Sequence, residues 1–564
     1  MLKIHLFGLF LSLILTNATK LWAQALPDPV VKKINSLFDN WDKTQSPGCA
    51  VGVVRNDSLI FSKGYGMANL EYAISNSPQT VYHLASVSKQ FTAYAIILLA
   101  QRGKLKLDDD IRKYLAWFPN LKQKITIRNL LNHTSGIRDQ WQLLGISGTR
   151  IDDVITQEHI IKILSKQQAL NFIPGEKFMY SNSGYTLLAE IVKAVSGKSL
   201  RKFTDSAIFK PLRMTQTHFH DDYTEIESNR AYSYDRKDGA RFSNSILSYS
   251  TVGATSLLSN IPDLAKWVMN FYDTKVGNQQ TILQLTQKAK LNDGTEIGYA
   301  SGILSEKYKG WKQFSHNGAD AGFRTSVIVF PELKTGIIVL SNLSEINAQE
   351  KASQIADMLI SERTGFVKPA EEKPRNVKIP ATELLFLKTQ SGSYFSDEMN
   401  IVTSLELKND SLYLRIGTND NLMTRESEHT YSMFYVPQIK LIFNQKGDTP
   451  NVSLNISNDT LHFTKIPNQL MADDKSMLEY TGTYNNTELE CTYKIILKDH
   501  QLYLTNSKCN DEKLTLFGAD HLINDTWYMK HLVVTRNKSN RIIGFEVNSW
   551  RVMHSKFVKI KTGN

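Results

Sequence analysis

"ASVSKQFTAYAIILLA", Ala85–Ala100, sets a serine and a lysine three residues apart, Ser86 and Lys89, at the head of a segment that is otherwise nearly all apolar. Residues three apart on a helix share a face, so the Lys89 amine can stand beside the Ser86 hydroxyl. A serine hydroxyl is a weak nucleophile until a neighbouring base removes its proton. A helix N-terminus adds a positive field and a backbone N–H that can help to hold an oxyanion. The apolar run from Phe91 to Ala100 then reads as a buried helix that fixes the pair. Taken alone, Ser-x-x-Lys is better read as a capping serine followed by a lysine whose stem lies along apolar surface.

The flanking sequence shows what such a pair would be built into. Pro27 to Asp42 has helical apolar spacing, and "CAVGVV" (49–54) and "SLIFSKGYGMANL" (58–70) alternate like strands around a turn at Arg55, Asn56 and Asp57. Helical patterns and loops dominate from Ser86 to about Ala300. After that "WKQFSHNG" (311–318), "FRTSVIVF" (323–330) and "TGIIVLSN" (335–342) read as strands, with a helix from about Glu345 to Arg363. Early strands, a helical middle and late strands predict one sheet assembled from both ends of the region, an α+β fold with a mostly helical insertion.

A chain of 564 residues is too long for one core, and 41% hydrophobic residues with 10% aromatics provide for several. "FVKPAEEKPRNVKIPAT" (366–382) is rich in proline and charge and reads as a linker, a boundary that predicts few contacts crossing it. Beyond it the chain repeats. "GSY" at Gly392–Tyr394 returns as "GTY" at Gly482–Tyr484, and "LKNDSLYL" at Leu407–Leu414 returns as "LKDHQLYL" at Leu497–Leu504, both at an offset of 90. Two gapless matches at one offset predict two small β-barrel or β-sandwich modules. The expected organisation is a signal peptide at 1–25, a first domain at 26–365, a linker at 366–380, and β modules at 381–470 and 471–564.

The signal peptide rests on Lys3, the apolar run Leu6–Leu15, too short to span a bilayer, and the small residues of "AQA" at 23–25. It predicts a periplasmic or secreted protein. No cysteine stands at the cleavage point, so no stable membrane anchor is expected after it. Net charge is +11, from 66 basic and 55 acidic residues scattered along the chain without a basic block interleaved with aromatics, which argues against nucleic-acid binding. Of three cysteines, Cys49 reads as a small buried hydrophobe. Cys491 and Cys509 flank a hairpin in which a three-residue loop, Asp499 to Gln501, would place them opposite each other, close enough for a disulfide, whereas a slip of one residue would part them.

Two further segments change the reading of Ser86 and Lys89. "FMYSNSGYTLLAEIV" (178–192) has Tyr180-Ser181-Asn182 directly before a helical pattern, and "FSHNGADAGFRTSVIVF" (314–330) has His316-Asn317-Gly318 entering a strand. The order Ser-x-x-Lys, Tyr-x-Asn, His-x-Gly resembles the serine β-lactamase and penicillin-binding-protein superfamily. The likeness covers about Pro27 to Gly365. It includes "ITIRNLLNHTSGI" (125–137) and "PGEKFMYSN" (174–182), similar to the class C and DD-carboxypeptidase or D-aminopeptidase branch.

The resemblance implies a β-lactamase-like domain with an antiparallel sheet flanked by helices. Ser86 would be the acylated nucleophile, with Lys89 and Tyr180 moving its proton to the leaving amine. Asn182 would bind the substrate amide and fix Lys89. His316 would face the substrate's terminal charge or the Tyr180 proton path, and Gly318 would let substrate lie against the strand. The backbone N–H groups of Ser86 and Ala319 would form the oxyanion hole. Acyl transfer needs a base that is neutral at working pH, and desolvation or a neighbouring cation can push a lysine that way. The same cationic surroundings would draw Tyr180 toward the phenolate.

Other patterns are set aside. "KTG" at Lys334–Gly336 lies between two strand patterns and reads as a hairpin turn, so His316 is preferred as the third motif. "HFHDDY" (218–223) has metal-ligand residues but no further ligand cluster in view, so no metal and no cofactor is expected. His133, in "NHTSGI", reads as a hydrogen-bonded structural histidine. The "GYGMANLE" glycines (64–71) have no following helix to make a phosphate cradle.

The expected activity is an exported serine hydrolase acting through an acyl-enzyme on peptide or amide bonds of D-residue peptides. Its partner is then a small peptide, amide or ester substrate, with peptidoglycan-derived peptides among the sources. A β-lactamase or esterase on the same site is the alternative. A catalytically silent cell-envelope protein that binds peptide or glycan is the alternative of a different class.

Overall fold

The chain is known from a computed structural model, which describes residues 25–237, 239, 241–364, 379–396, 401–416, 419–433, 436–444, 451–456, 459–466, 473–517 and 520–560. The segment read as a signal peptide lies, up to residue 24, outside the described residues, as does most of the expected linker.

The apolar strands from the two ends of the first domain meet in one six-stranded antiparallel sheet. In chain order these are β1 (Cys49–Arg55), β2 (Ser58–Tyr65), β3 (Leu304–Tyr308), β4 (Trp311–Asp320), β5 (Phe323–Phe330) and β6 (Thr335–Ser341), arranged β3-β4-β5-β6-β1-β2. The join is the β1–β6 ladder, in which Cys49 faces Ser341 and Arg55 faces Thr335. Both strands are buried nearly throughout, as strands covered on both faces must be. One face packs α1 (Asp28–Ser36) and α4 (Ala348–Thr364) through Ile34, Val51, Ile337 and Ile355. The other meets the helical lobe, which includes α2 (Lys89–Gln101) and α3 (Asn182–Ser196). Every α2 residue from Lys89 to Leu99 is buried, so the oily run is the core helix its composition predicts. The early turn falls at Asn56, in the left-handed region at φ 53°, and Lys334 of "KTG" is likewise a hairpin residue at φ 45°.

Each repeat closes into an eight-stranded barrel, one from strands between Gly392 and Lys465, the other between Gly482 and Ile560. The offset of 90 has a physical counterpart. The strands Gly392–Ser396 and Ser411–Ile416 correspond to Gly482–Asn486 and Gln501–Asn506. In each copy the tyrosine of the first strand is buried and donates to the carbonyl four residues before it, Tyr394 to Gln390 at 2.6 Å and Tyr484 to Tyr480 at 2.6 Å.

Of the two registers left open for Cys491 and Cys509, the fold adopts one that keeps them apart. The hairpin turns on two residues, Asp499 and His500, both left-handed at φ 50° and 58°, with Lys498 opposite Gln501. That register differs by one residue from the one that would oppose the two thiols, the facing strand ends at Asn506 with Cys509 opening the next one, and all three cysteines are free. Cys491 is buried, and its thiol donates to the Ile146 carbonyl at 3.5 Å.

The expectation of few contacts across the linker is corrected, because the second barrel packs back onto the first domain. Its core residues Tyr484, Leu532 and Phe545 belong to one apolar cluster with Ile97 and Leu188 of the helical lobe. Arg138, 1% exposed, meets the Glu488 carboxylate at 3.0 Å and donates to the His554 carbonyl at 2.9 Å. Gly145 lets the Tyr528 ring lie directly on its helix, because a Cβ there would stand 2.8 Å from the ring. Removing one partner of a buried ion pair strands the other without water. Glu488→Gln is therefore expected to lower stability by about 3–5 kcal/mol, read as a lower denaturant midpoint of the first domain.

Candidate active site

Three segments distant in sequence meet at one amine. The Lys89 side chain is fully buried at the start of α2, and its Nζ donates to Ser86 Oγ at 3.1 Å, Asn182 Oδ1 at 2.9 Å and the Ala254 carbonyl at 2.7 Å. Three acceptors match its three protons. Burial nevertheless disfavours the charge and pushes Lys89 down to about 7, with Asp139 opposing and Arg551 assisting. Asn182 is oriented by Asp139, whose Oδ2 accepts from the Asn182 backbone N–H and from Nδ2, each at 2.8 Å. With its nitrogen so engaged, the amide must turn its oxygen toward Lys89.

Ser86 sits on a strained turn. Ala85 before it is left-handed at φ 49°, and its N–H donates to His83 Nδ1 at 3.1 Å, holding a conformation that few residues with a Cβ adopt. Ser88 ties the same turn through its hydroxyl, which donates to the Ala85 carbonyl at 2.6 Å and accepts from the Leu257 N–H at 3.1 Å. Strand β4 passes close beside it. A Cβ on Gly318 would come within 2.4 Å of the Leu84 carbonyl oxygen, so only glycine permits this approach. Ala319, the next residue, is exposed and lines the same cavity as Ser86.

Tyr180 lies beneath the amine, with Lys89 Nζ 4.8 Å from its ring centroid. Burial pushes its phenol upward, which corrects the expectation of a phenolate: desolvation disfavours the anion more than the nearby cations favour it. At rest Tyr180 therefore holds its proton and Lys89 is the group able to accept one. His133 stacks 4.1 Å from the Tyr180 ring and accepts from the Ser181 N–H at 3.2 Å, a structural role as expected. His316 is buried, and desolvation together with the Lys89 charge pushes it down to about 3. Its Nδ1 lies 2.7 Å from the Asn317 carbonyl and its Nε2 3.0 Å from the Tyr299 hydroxyl, the arrangement of a neutral ring protonated at Nδ1. His316 thus brings no positive charge to the site.

The cavity holding these groups has a volume of about 600 Å³ and includes Ser86, Tyr180, Asn182, His316 and Ala319. The three motifs converge on it. Several of its residues were not legible in the sequence: Asp139, Tyr299 and Asp320 of the first domain, and Trp527, Trp550 and Arg551 of the second barrel. Asp320 accepts from Thr255 Oγ1 at 2.7 Å and is pushed up to about 6 by burial. Asp139 stands two residues after "NHTSGI", separated from it by Arg138, and nothing in that motif marks it as a partner of Asn182. No local signal marks a barrel loop as part of a distant pocket.

Elsewhere, the fold adds Glu225 to the two histidines of "HFHDDY", bringing ligand atoms of His218, His220 and Glu225 within 4.8 Å of one another. Both Glu225 oxygens already accept from Arg201, at 2.6 and 2.8 Å, so this carboxylate is committed to an ion pair.

A family model described as Beta-lactamase matches residues 34–360. This chain belongs to that family. A penicillin-binding protein of Bacillus subtilis is 26% identical over 68% of this chain and 87% of its own. A D-aminopeptidase of Brucella anthropi is 24% identical over 92% of this chain and 96% of its own, so that likeness extends through both barrels. Among solved structures, an octameric penicillin-binding protein homologue from Pyrococcus abyssi superposes with a TM-score of 0.55 at 25% identity, covering 77% of this chain and 100% of that one. With the family established, the enzyme class is that of a serine hydrolase.

The pH response follows from Lys89. A lysine that titrates near 7 is the protonated acid below that pH and the free base above it. Acylation of Ser86 is expected to fall about tenfold per unit below roughly pH 7 and to level off above it. Stopped-flow acylation by a neutral ester across pH 5 to 9 measures this, and Lys89→Arg, whose guanidinium cannot give up its proton, should remove the ascending limb along with the activity.

Proposed function

We propose that this chain is an exported hydrolase that cleaves peptide or amide bonds of D-residue peptides through an acyl-enzyme on Ser86. The observation that carries the proposal is the buried Lys89 amine, near neutrality and 3.1 Å from the Ser86 hydroxyl. Neutral Lys89 takes the Ser86 proton as Oγ bonds to the scissile carbonyl carbon. The carbonyl oxygen becomes an oxyanion held by the N–H groups of Ser86 and Ala319. Collapse breaks the C–N bond, and the departing amine takes a proton from Tyr180, which recovers one from Lys89. Water then attacks the ester with the same groups acting in reverse, releasing the acid and restoring Ser86.

The substrate class draws support from the relative named as a D-aminopeptidase, which matches across nearly the whole chain. Export is supported by the charged, apolar and small-residue order of the first 25 residues. Among the described residues no helix is long and apolar enough to cross a membrane.

Covalent labelling with a fluorescent fluorophosphonate is expected in the wild type and absent in Ser86→Ala; label found on another serine would overturn the assignment. Tyr180→Phe should slow turnover by about 10²-fold or more. N-blocked D-alanyl p-nitroanilide should be hydrolysed in preference to its L enantiomer. Efficient cephalosporin turnover without amidase activity would make β-lactamase the correct activity.

A further inference from the structure

The charges that line the cavity do not suit every D-residue substrate equally. His316 is neutral, and Lys89 spends its protons on Ser86, Asn182 and Ala254. Of the two carboxylates, Asp139 is committed to Asn182 and Asp320 to Thr255. The remaining charge is carried by Arg551, and it comes from the second barrel.

Arg551 and Trp550 form the two-residue tip of the hairpin between strands Ile542–Ser549 and Val552–Ile560, where Ser549 pairs with Val552. The tip is fastened to the first domain through its backbone. The Arg551 N–H donates to Gln142 Oε1 at 2.9 Å, and its carbonyl accepts from the Asp139 N–H at 3.2 Å and from Asn171 Nδ2 at 2.8 Å. The side chain is left for something else. Its guanidinium is held between two rings, 4.0 Å from the Trp550 centroid and 4.8 Å from that of Tyr180. The carboxylate within its reach among the described residues is Asp139, at the 4.0 Å limit of an ion pair and already accepting two hydrogen bonds from Asn182. Trp550 is left-handed at φ 50°, as the first residue of a two-residue hairpin turn commonly is, so the turn itself fixes the direction in which the tip points. The guanidinium therefore stands preorganised on the Asn182 side of the cavity, with its donors largely unspent.

Resting on the acyl-enzyme reading of the site, we propose that Arg551 is a specificity-determining residue that binds a carboxylate on the acyl half of the substrate. The preferred substrates are then D-residue peptides whose N-terminal side is blocked and acidic, and a free N-terminal ammonium, facing an arginine, is disfavoured. A guanidinium offers a carboxylate two parallel hydrogen bonds, which an amide or ester cap cannot return with charge. Barrel 2 then reads the substrate while the first domain cleaves it.

Three p-nitroanilides of D-alanine that differ only at the nitrogen test this: succinyl, acetyl and free amine. All release the same leaving group. The expected order of kcat/KM is succinyl, then acetyl, then free amine, with the first exceeding the second by about tenfold or more, the usual range for a charge-assisted hydrogen bond. Arg551→Gln should bring the succinyl-to-acetyl ratio close to one, Arg551→Lys should keep part of it, and Arg551→Glu should favour the free amine. The ratio is the readout, because removing Arg551 also alters the charge felt by Lys89 and so the absolute rates. An order that ignores charge in the wild type, or a ratio unchanged in Arg551→Gln and Arg551→Glu, overturns the role of Arg551 while leaving the acyl-enzyme intact. Failure of the wild type to cleave any of the three, together with no fluorophosphonate label on Ser86, defeats the acyl-enzyme reading itself.

Discussion

A fully buried lysine amine organises this molecule. An ammonium taken out of water is costly unless its protons are bonded, and Lys89 is bonded by side chains or backbone from three segments: the Ser86 turn, the start of α3 at Asn182, and the Ala254 stretch. Each of those segments has its own support. Asp139 turns the Asn182 amide, His83 and Ser88 hold the Ser86 turn, and the apolar length of α2 holds Lys89 itself. The same burial that makes this network necessary lowers the proton affinity of the amine, so the requirement of folding and the requirement of catalysis are met by one arrangement.

Burial also sorts the neighbouring groups by charge. It depresses cations and raises acids, so Lys89 becomes a base while Tyr180 remains a phenol and His316 a neutral ring. Proximity of a lysine to a tyrosine suggests a phenolate only when solvent or hydrogen bonds stabilise the anion, and around Tyr180 the loss of water outweighs both. A desolvated site is a good place for a developing oxyanion, because the few dipoles aimed at it act in a low dielectric.

The two barrels illustrate how a duplicated module diverges by what it touches. Their first four strands and their tyrosine-to-carbonyl bonds repeat at an offset of 90, yet the contacts that complete the cavity come from the second copy. Arg138 and Glu488 anchor it, Gly145 admits Tyr528, and Gln142 and Asn171 hold the Trp550–Arg551 tip by backbone bonds that would accept other side chains there. Such an anchorage lets the tip vary in chemistry without loss of docking.

The fold class and the candidate site motifs were legible in the sequence because their signals are local. Alternation and helical spacing mark the strands and α2, and Ser86, Lys89, Tyr180, Asn182 and His316 stand in short motifs whose order is distinctive. The repeat was legible for the same reason, since matched strings at one offset need no knowledge of packing. What escaped depends on register or on distance. The strand facing that of Cys491 ends at Asn506 and a second turn puts Cys509 at the head of the next strand, a strand end that residue counting does not reveal. The protonation of Tyr180 and His316 is set by how much water the folded cavity excludes. Arg551, more than 360 residues from Tyr180 in the chain, enters the site only because the second barrel docks on the first domain, and a linker read by composition gives no warning that the modules beyond it fold back.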